Sequence, residues 1–251
     1  MPDFREIRFE DAQHLSCTKN LVESKIDGCC MTWNGTDFIS ERDIVRNDRF
    51  PHLVKELRQL PWRVQGEAAV PFGHVLKLNR RENWASARFY AFKLVEHQGT
   101  KIDGDPFEVR KQLESIFDNN SFQHLRLPFK WDDFGKAWRW VKKKKGEGVV
   151  FKPKDGSKGF KLKDWKEFKL PIIGFTPGKT KGAFLLACPS GAQGSVSGTS
   201  EAYVKKYEAI LAAGKEPWVE IECLFLTDNG IPFQPRIRRL GTKAEILSKA
   251  G

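Results

Sequence analysis

The chain has 251 residues and a mass of 28.8 kDa, which allows one large domain or two modest ones with a core that needs no disulfides. Lys and Arg number 43 against 32 Asp and Glu, and the net charge of +11 favours a polyanion over an acidic protein as partner. Hydrophobic residues make up 40%, which excludes a disordered or collagen-like chain.

No apolar run approaches the roughly 20 residues that a membrane helix needs, and the N-terminus is charged. We therefore expect a cytoplasmic or nucleoid-associated protein without membrane contact. The five cysteines are odd in number and lack paired spacing, which argues against a disulfide framework and a structural zinc. They are predicted to be reduced, mostly packed thiols: Cys17, Cys29, Cys30, Cys188 and Cys223.

The first 170 residues mix short apolar runs with helical spacing, which is typical of an α+β domain. The sequence predicts strands at residues 21–22, 64–70, 87–95 and 148–152. It predicts helices at residues 50–60, 108–119 and 132–146. The third helix begins with acids and ends with lysines, as the helix dipole favours.

A segment rich in turn-forming residues, 170–178, follows and is the predicted hinge. We place the boundary after residue 170, which gives domains 1–170 and 171–251. In the second domain, strands are predicted at residues 183–188 and 219–227, and a helix at residues 200–213. Short strands around one helix predict a five-stranded oligonucleotide-binding (OB) barrel.

The tetrapeptide Lys25-Ile26-Asp27-Gly28 follows an apolar, strand-like pair. By itself it is a weak signal, since a surface strand entering a turn at Gly28 explains it equally well. The chain also contains a second copy, Lys101-Ile102-Asp103-Gly104.

Further motifs follow the first copy in a fixed order. They are Ser40-Glu41-Arg42, Gly66-Glu67, Phe89-Tyr90-Ala91-Phe92, Glu147-Gly148-Val149-Val150-Phe151-Lys152, and finally Trp165 and Lys169. This series resembles the covalent nucleotidyltransferases, the superfamily of ATP-dependent polynucleotide ligases and mRNA capping enzymes. The second copy, at Lys101, would be out of order in that series.

The resemblance is to minimal two-domain ATP-dependent DNA ligases. It implies an α+β fold, in which an ATP-grasp-like nucleotidyltransferase domain of antiparallel sheets and helices precedes an all-β OB-fold barrel with one inserted helix. Only 24 residues precede Lys25. Nicotinamide-dependent ligases carry an extra domain there, so we expect ATP as the cofactor.

A lysine amine is a nucleophile only when neutral, and neighbouring cations or desolvation lower its pKa. Lys152 and Lys169 are the candidate cations for Lys25, and they would also stabilise charge on a transferring phosphate. A divalent ion would neutralise the triphosphate further. Mg²⁺ is predicted, with Mn²⁺ as an alternative, and Glu147 is the nominated ligand.

The resemblance also assigns roles to single residues. Lys25 would attack the α-phosphate of ATP and form lysyl-AMP. Glu23 would lie near the adenine amino group, and Arg42 and Glu67 would contact the ribose. Phe92 would stack on the base, although a core aromatic residue is the alternative.

Three positions depart from the usual ligase pattern. Cys30 stands where an arginine is common, Lys93 where an aspartate is common, and Glu167 where a lysine is expected. Lys166 is a possible substitute for that lysine, but strand alternation would place it on the opposite face. These changes weaken individual contacts and motivate a hypothesis from another class, a non-catalytic nucleic-acid binder with a degenerate ligase fold.

Basic residues predict a nucleic-acid surface. Residues 142–181 hold thirteen lysines against four acids, although residues 142–145 are equally well explained as a solvated face. Arg236, Arg238 and Arg239 resemble the C-terminal motif of ligases and capping enzymes, with an ordinary phosphate-binding strand as the alternative. Asp27 completes the residues predicted to lie by the nucleic acid.

The function predicted from the resemblance is sealing of 5′-phosphate/3′-hydroxyl nicks in duplex DNA through lysyl-AMP and DNA-adenylate. An RNA ligase is the alternative within the superfamily, and a capping guanylyltransferase comes third. The expected partner is nicked duplex DNA, bound by a monomer. A sliding-clamp partner is not indicated by the sequence.

Overall fold

The computed structural model of the protein describes residues 4–71, 73–97, 99–102, 104–178 and 182–248. The chain forms two compact units, Met1–Asp164 and Trp165–Gly251. The predicted boundary after residue 170 lies inside a strand of the second unit, Lys166–Thr176. The assignment of a function to each domain stays a prediction.

The first unit mixes strands and helices. Its described strands are β1 (Arg5–Glu6), β2 (Asn20–Lys25), β3 (Cys29–Trp33), β4 (Phe38–Ser40), β5 (Trp62–Ala69), β6 (Arg88–His97), β7 (Thr100–Lys101), β8 (Leu125–Arg126), β9 (Lys130–Trp131), β10 (Gly148–Pro153) and β11 (Phe160–Lys163). The helices are α1 (Phe9–Ala12), α2 (Pro51–Leu57), α3 (Pro106–Asp118) and α4 (Phe134–Lys144), and two 3₁₀ helices span Val75–Asn79 and Arg81–Ser86.

The first sheet has the strand order β1-β11-β10-β2-β9. Successive side chains of its central strands point to opposite faces, and the two faces differ in character. Val22, Val149 and Phe151 pack with α4 residues in one buried cluster. Glu23 and Lys25 project from the opposite face of β2, which is the face that carries the candidate site.

The second sheet runs β4-β3-β5-β6-β7, with β8 beside β6. One face buries the main core of the unit, which includes Trp33, Phe38 and Phe89 with residues of α2 and α3. The other face carries Cys30 and Glu67, which lie opposite each other on β3 and β5.

A β-bulge interrupts the pairing of β5 with β6. Gly66 lies opposite Ala91 and Gln65 opposite Lys93, so Phe92 is the extra residue. A bulge lets two consecutive side chains leave the regular alternation. Ala91 and Leu94 are both buried in the core, so the bulge places two consecutive residues, Phe92 and Lys93, off the core face between them.

The second unit contains one described sheet, ordered β14-β13-β12-β15-β16. Its elements are β12 (Lys166–Thr176), β13 (Ala183–Ala187), β14 (Gln193–Ser197), α5 (Glu201–Ala212), β15 (Pro217–Cys223), β16 (Arg236–Thr242) and α6 (Lys243–Leu247). Helix α5 is inserted between β14 and β15, as the sequence predicted, and Ser200 caps it. Closure of this sheet into an OB barrel stays a prediction.

The predicted turn-rich hinge at residues 170–178 is instead mostly strand, since β12 continues to Thr176. Leu170 and Ile172 are buried, and this alternation outweighs the local turn formers. The strand pairs with β15 through its first half and with β13 through its second half. Ile173 is the extra residue of a bulge in the pairing of β12 with β13, and its side chain is 55% exposed.

All five cysteines are free thiols. Within the described ranges, no helix has both the length and the apolar character needed to cross a membrane.

Candidate functional site

The centre of the candidate site is an ion pair between two adjacent strands of the first sheet. Lys25 ends β2 and lies opposite Gly148, the first residue of β10. This register brings Lys25 next to Glu147, and the Lys25 Nζ donates to Glu147 Oε2 at 2.7 Å. Lys163, on the neighbouring strand β11, reaches Glu147 Oε1 at 2.9 Å. Two lysines therefore share one carboxylate.

A second charged group lies further along the same strands. Glu23 is buried, with 1% of its side chain exposed, and its Oε2 accepts a hydrogen bond from Lys152 Nζ at 2.5 Å. The same amine also donates to the Phe92 carbonyl at 3.1 Å. The Lys152 Nζ lies 5.2 Å from the centroid of the Phe92 ring, within cation–π range. Lys152 thus links the first sheet to the bulged strand of the second.

Several of these side chains line a cavity of about 520 Å³. This volume is ordinary for small-molecule sites. Both sheets contribute to its lining. The described lining residues are Phe4, Glu23, Ser24, Lys25, Ile26, Gly28, Cys30, Glu41, Glu67, Phe92, Pro128, Val150, Lys152, Lys161 and Lys163.

The residues of this cavity suit a nucleotide. Glu67 Oε2 is buried without a hydrogen-bond partner among the described residues, so it is open to a hydroxyl donor such as one from a ribose. Phe92 and Val150 offer apolar contact to a base. Lys25 and Lys163 supply positive charge for phosphates.

Burial and neighbouring charges set the protonation of the site. Burial acts to lower the pKa of Lys25, but the charge and hydrogen bond of Glu147, with Glu67 and Asp27, outweigh it and raise the pKa. Burial, with the nearby charge of Glu147, raises the pKa of Asp27 to about 6. Burial also raises the pKa of Glu67 to about 8, against the opposing charge of Lys25.

The prediction that Lys152 lowers the pKa of Lys25 is therefore wrong. Lys152 is bonded to Glu23. The role of Lys169, which lies opposite Glu220 on β15, stays a prediction. The immediate partner of Lys25 is a carboxylate. A Lys–Glu pair is visible only once β2 and β10 are paired, which sequence spacing does not reveal.

The donor set does not fit a magnesium ion held by protein groups alone. Both carboxylate oxygens of Glu147 are bonded to lysines. Among the residues that the structure describes, no group of three or more His, Cys, Asp or Glu side chains could hold a metal. The role of Glu147 as a metal ligand stays a prediction.

The structure brings together most of the predicted nucleotide-binding residues. Glu23, Lys25, Glu67, Phe92 and Lys152 line the cavity, and Glu147 is bonded to Lys25.

Of the predicted residues, Arg42 differs from that group, and the second tetrapeptide was not predicted to belong to it. Within the described lining, the cavity includes Glu41 rather than the adjacent Arg42, which is exposed in the turn after β4. Lys101, from the second tetrapeptide, lies exposed on the short strand β7 opposite Glu96. Its Asp103 lies outside the described residues.

Two of the three positions that depart from the ligase pattern, Cys30 and Lys93, lie beside the cavity. Cys30 is buried, and burial, with Glu67 and Glu41 nearby, raises the pKa of its thiol to about 12. It therefore contributes a neutral, packed group to the cavity. Lys93 lies beside the Phe92 bulge and lines an adjoining cavity that shares Phe92 and Lys152 with the first.

Two of the predicted arginines in the second unit lie within ion-pair distance of glutamates. Arg239 Nη2 lies 3.0 Å from Glu220 Oε2, and Arg238 Nε lies 3.4 Å from Glu222 Oε2. Arg236 stacks on Trp165, with its guanidinium carbon 4.3 Å from the ring centroid. The polar face of this sheet therefore carries both signs of charge. Contacts of these arginines with nucleic acid stay predictions, as does that of Asp27, which accepts a hydrogen bond from the Val75 backbone N–H.

Sequence reasoning missed Arg110 and Lys163. Arg110 is buried in α3 and its Nη1 donates to Glu23 Oε1 at 2.5 Å. A signal was present, because Arg110 precedes the buried Leu113 by one helical turn and so falls on the apolar face. Lys163 lies opposite Gly148 on β11. That placement follows from a strand that the sequence analysis did not predict.

Solved structures of DNA ligases share this fold. A structure described as one of the Lig E DNA ligases matches with a TM-score of 0.70 and 17% identity, covering 96% of this chain and 100% of that chain. The mycobacterial DNA ligase D complexed with ATP matches with a TM-score of 0.55 and 19% identity over 91% of each chain. The ligase domain of LigD from M. tuberculosis matches with a TM-score of 0.55 and 18% identity over 97% of each chain.

These likenesses give the chain the fold of DNA ligases, so the resemblance predicted from the motifs is confirmed at the level of the fold. No family model matches the sequence, and no curated protein matches it significantly.

Proposed function

We propose that this protein is an ATP-dependent DNA ligase that seals 5′-phosphate/3′-hydroxyl nicks in duplex DNA. One observation carries the proposal. The amine of Lys25 lies in a cavity suited to a nucleotide, 2.7 Å from Glu147, in a fold shared with a DNA ligase complexed with ATP.

In the first step, the Lys25 nitrogen attacks the α-phosphorus of ATP. A P–N bond forms, the bond from that phosphorus to the β-phosphate oxygen breaks, and pyrophosphate leaves. The ammonium group must lose a proton before the attack. Glu147 Oε2 is the acceptor within hydrogen-bond distance of that nitrogen. Lys163 then keeps a positive charge beside the reacting phosphate.

The second and third steps transfer and release AMP. An oxygen of the DNA 5′-phosphate attacks the phosphorus of lysyl-AMP, so a P–O bond replaces the P–N bond and frees Lys25. The 3′-hydroxyl then attacks the 5′-phosphorus, AMP leaves, and a phosphodiester closes the nick. Mg²⁺ stays a predicted cofactor, to be held mainly by nucleotide phosphates and water.

The decisive experiment measures the mass of the intact protein after incubation with ATP and Mg²⁺. We expect a gain of one AMP in the wild type, its loss in Lys25→Ala, and its retention in Lys101→Ala. The second variant is a matched control, since it removes the lysine of the same tetrapeptide at an exposed strand. An adduct that survives Lys25→Ala would show that another residue is the nucleophile.

Substrates separate the alternatives. Sealing of nicked duplex DNA in preference to nicked RNA is expected, and the reverse preference would make the protein an RNA ligase. A GMP adduct in place of AMP would indicate a capping enzyme. DNA binding without any adduct would reduce the protein to a non-catalytic binder.

A further inference from the structure

Each carboxylate oxygen of Glu23 is bonded to a positively charged side chain. Its Oε1 accepts from Arg110 Nη1 and its Oε2 from Lys152 Nζ, both at 2.5 Å. The Glu23 and Arg110 side chains are 1% and 9% exposed. A buried carboxylate of this kind depends on its partners, because removing one leaves an uncompensated charge.

Arg110 is itself held in one orientation. Its Nη1 also donates to the Pro128 carbonyl at 2.8 Å, and its Nε donates to Glu114 Oε1 at 3.0 Å. Lys130 reaches the same Glu114 oxygen at 2.7 Å. Arg110 Nη1 and Nε are thus both engaged, and Glu23, unlike Arg110, is among the described residues that line the cavity.

A carboxylate has about four lone-pair directions, and two of those on Glu23 are occupied. The remaining ones are acceptors and offer no proton. A base that presents an amino group at this point is favoured, whereas a base that presents a carbonyl oxygen meets lone-pair repulsion. Adenine and guanine differ in this way at position 6 of the purine.

We infer that Arg110 is a positioning residue for base selection, fixing the Glu23 carboxylate as an acceptor toward the nucleotide base. The inference rests on the proposed function for the identity of the ligand. It extends the site to a residue of α3 that is not among the described residues lining the cavity. Without Arg110, the contact of Lys152 with Oε2 remains, but Oε1 loses its described cation, so the carboxylate can change orientation and the preference for an amino group weakens.

Equilibrium binding tests this inference without any chemical step. The probes are the α,β-methylene analogues of ATP and GTP, which cannot transfer a nucleotide to Lys25, measured by titration calorimetry. In Arg110→Gln we expect the affinity for the ATP analogue to fall about tenfold or more, and the ratio of ATP to GTP affinities to fall as well. Arg110→Lys keeps the charge and should restore part of both.

Lys111→Gln is the matched control. Lys111 is the next residue of α3, and it pairs with Glu108 on the exposed side of the helix, so both affinities should match the wild type. Circular dichroism of each variant reports whether it is folded. If Arg110→Gln is unfolded, Arg110→Lys decides the matter, since loss of the fork geometry should still lower the affinity ratio.

The outcomes separate the two proposals. A folded Arg110 variant with an unchanged affinity ratio overturns the inference and leaves the ligase assignment intact. Selective binding of the ATP analogue that is lost in the Arg110 variants, in a chain that never forms an adduct, supports the inference and overturns the ligase assignment. A wild type that binds neither analogue overturns both.

Discussion

At the scale of single residues, Glu147 controls the protonation of Lys25. The Glu147 carboxylate raises the pKa of Lys25 above its usual value, against the effect of burial. The neutral amine is therefore scarcer at neutral pH than in an unpaired lysine, and adduct formation should accelerate as pH rises toward that pKa.

Glu147→Gln removes the charge that raises the pKa of Lys25. Its pKa should fall, so the rate of adduct formation should level off at a lower pH than in the wild type. The maximal rate should also fall, by about 100-fold, because the proton acceptor is lost. Rates of AMP adduct formation across a pH series measure both effects. Glu96→Gln is the control, since Glu96 pairs with Arg63 and is not among the described residues that line the cavity. A variant profile with an unchanged midpoint would contradict this role.

The order of the motifs predicts which side chains lie in one cavity better than it predicts their bonding partners. Glu23, Lys25, Glu67, Phe92 and Lys152 meet in the cavity as the motif order implied. The order of motifs along the chain does not say which residues of two paired strands lie opposite each other. The bonds from Lys25 to Glu147 and from Lys152 to Glu23 therefore could not be predicted. They arise from the pairing of β2 with β10, which joins residues more than a hundred positions apart.

At the scale of elements, the spacing of β10 and β11 depends on Gly148. A Cβ at this position would lie 1.9 Å from the Leu162 carbonyl oxygen, so the two strands approach too closely for any side chain. Their contact positions Glu147 beside both Lys25 and Lys163.

Gly148→Ala should force β10 and β11 apart and lower the free energy of unfolding by roughly 1–3 kcal/mol. The rate of adduct formation should fall as well, since Glu147 would be displaced. Chemical denaturation and adduct kinetics measure the two effects. Gly104→Ala is the matched control, because a Cβ there meets no atom within 4 Å. Wild-type values for both quantities in Gly148→Ala would contradict the argument.

Elements with strong periodicity agree with the sequence to within a few residues, as α3 and α4 do. Short strands such as β1 and β11 do not follow from local pattern, because they exist only by pairing with distant segments. The prediction of a hinge at residues 170–178 is wrong because pairing with distant strands outweighs the local pattern. The prolines and glycines of this segment indicate turns, but β12 is stabilised by pairing with β15 over its first half and with β13 over its second half.

At the scale of the whole molecule, the net charge of +11 should make DNA binding strongly dependent on salt. The logarithm of the affinity for nicked duplex DNA should fall linearly with the logarithm of salt concentration. Lys143→Gln, at the exposed end of α4, should reduce that slope by about one if this lysine meets a phosphate. Affinities by fluorescence anisotropy at several salt concentrations measure the slope.

Two results would contradict these expectations. Wild-type affinity that is insensitive to salt would exclude phosphate contacts as the main source of binding. An unchanged slope in Lys143→Gln would assign this lysine to a solvated face.

The bulge at Ile173 marks a position at which homologous chains can differ in length by one residue. Ile172 and Phe175 contact the same core on either side of it, although an uninterrupted strand would point residues three apart in opposite directions. Losing Ile173 would remove the irregularity and leave both of those side chains facing inward. Homologous chains that are one residue shorter should therefore carry their gap here, where a deletion keeps the alternation in phase.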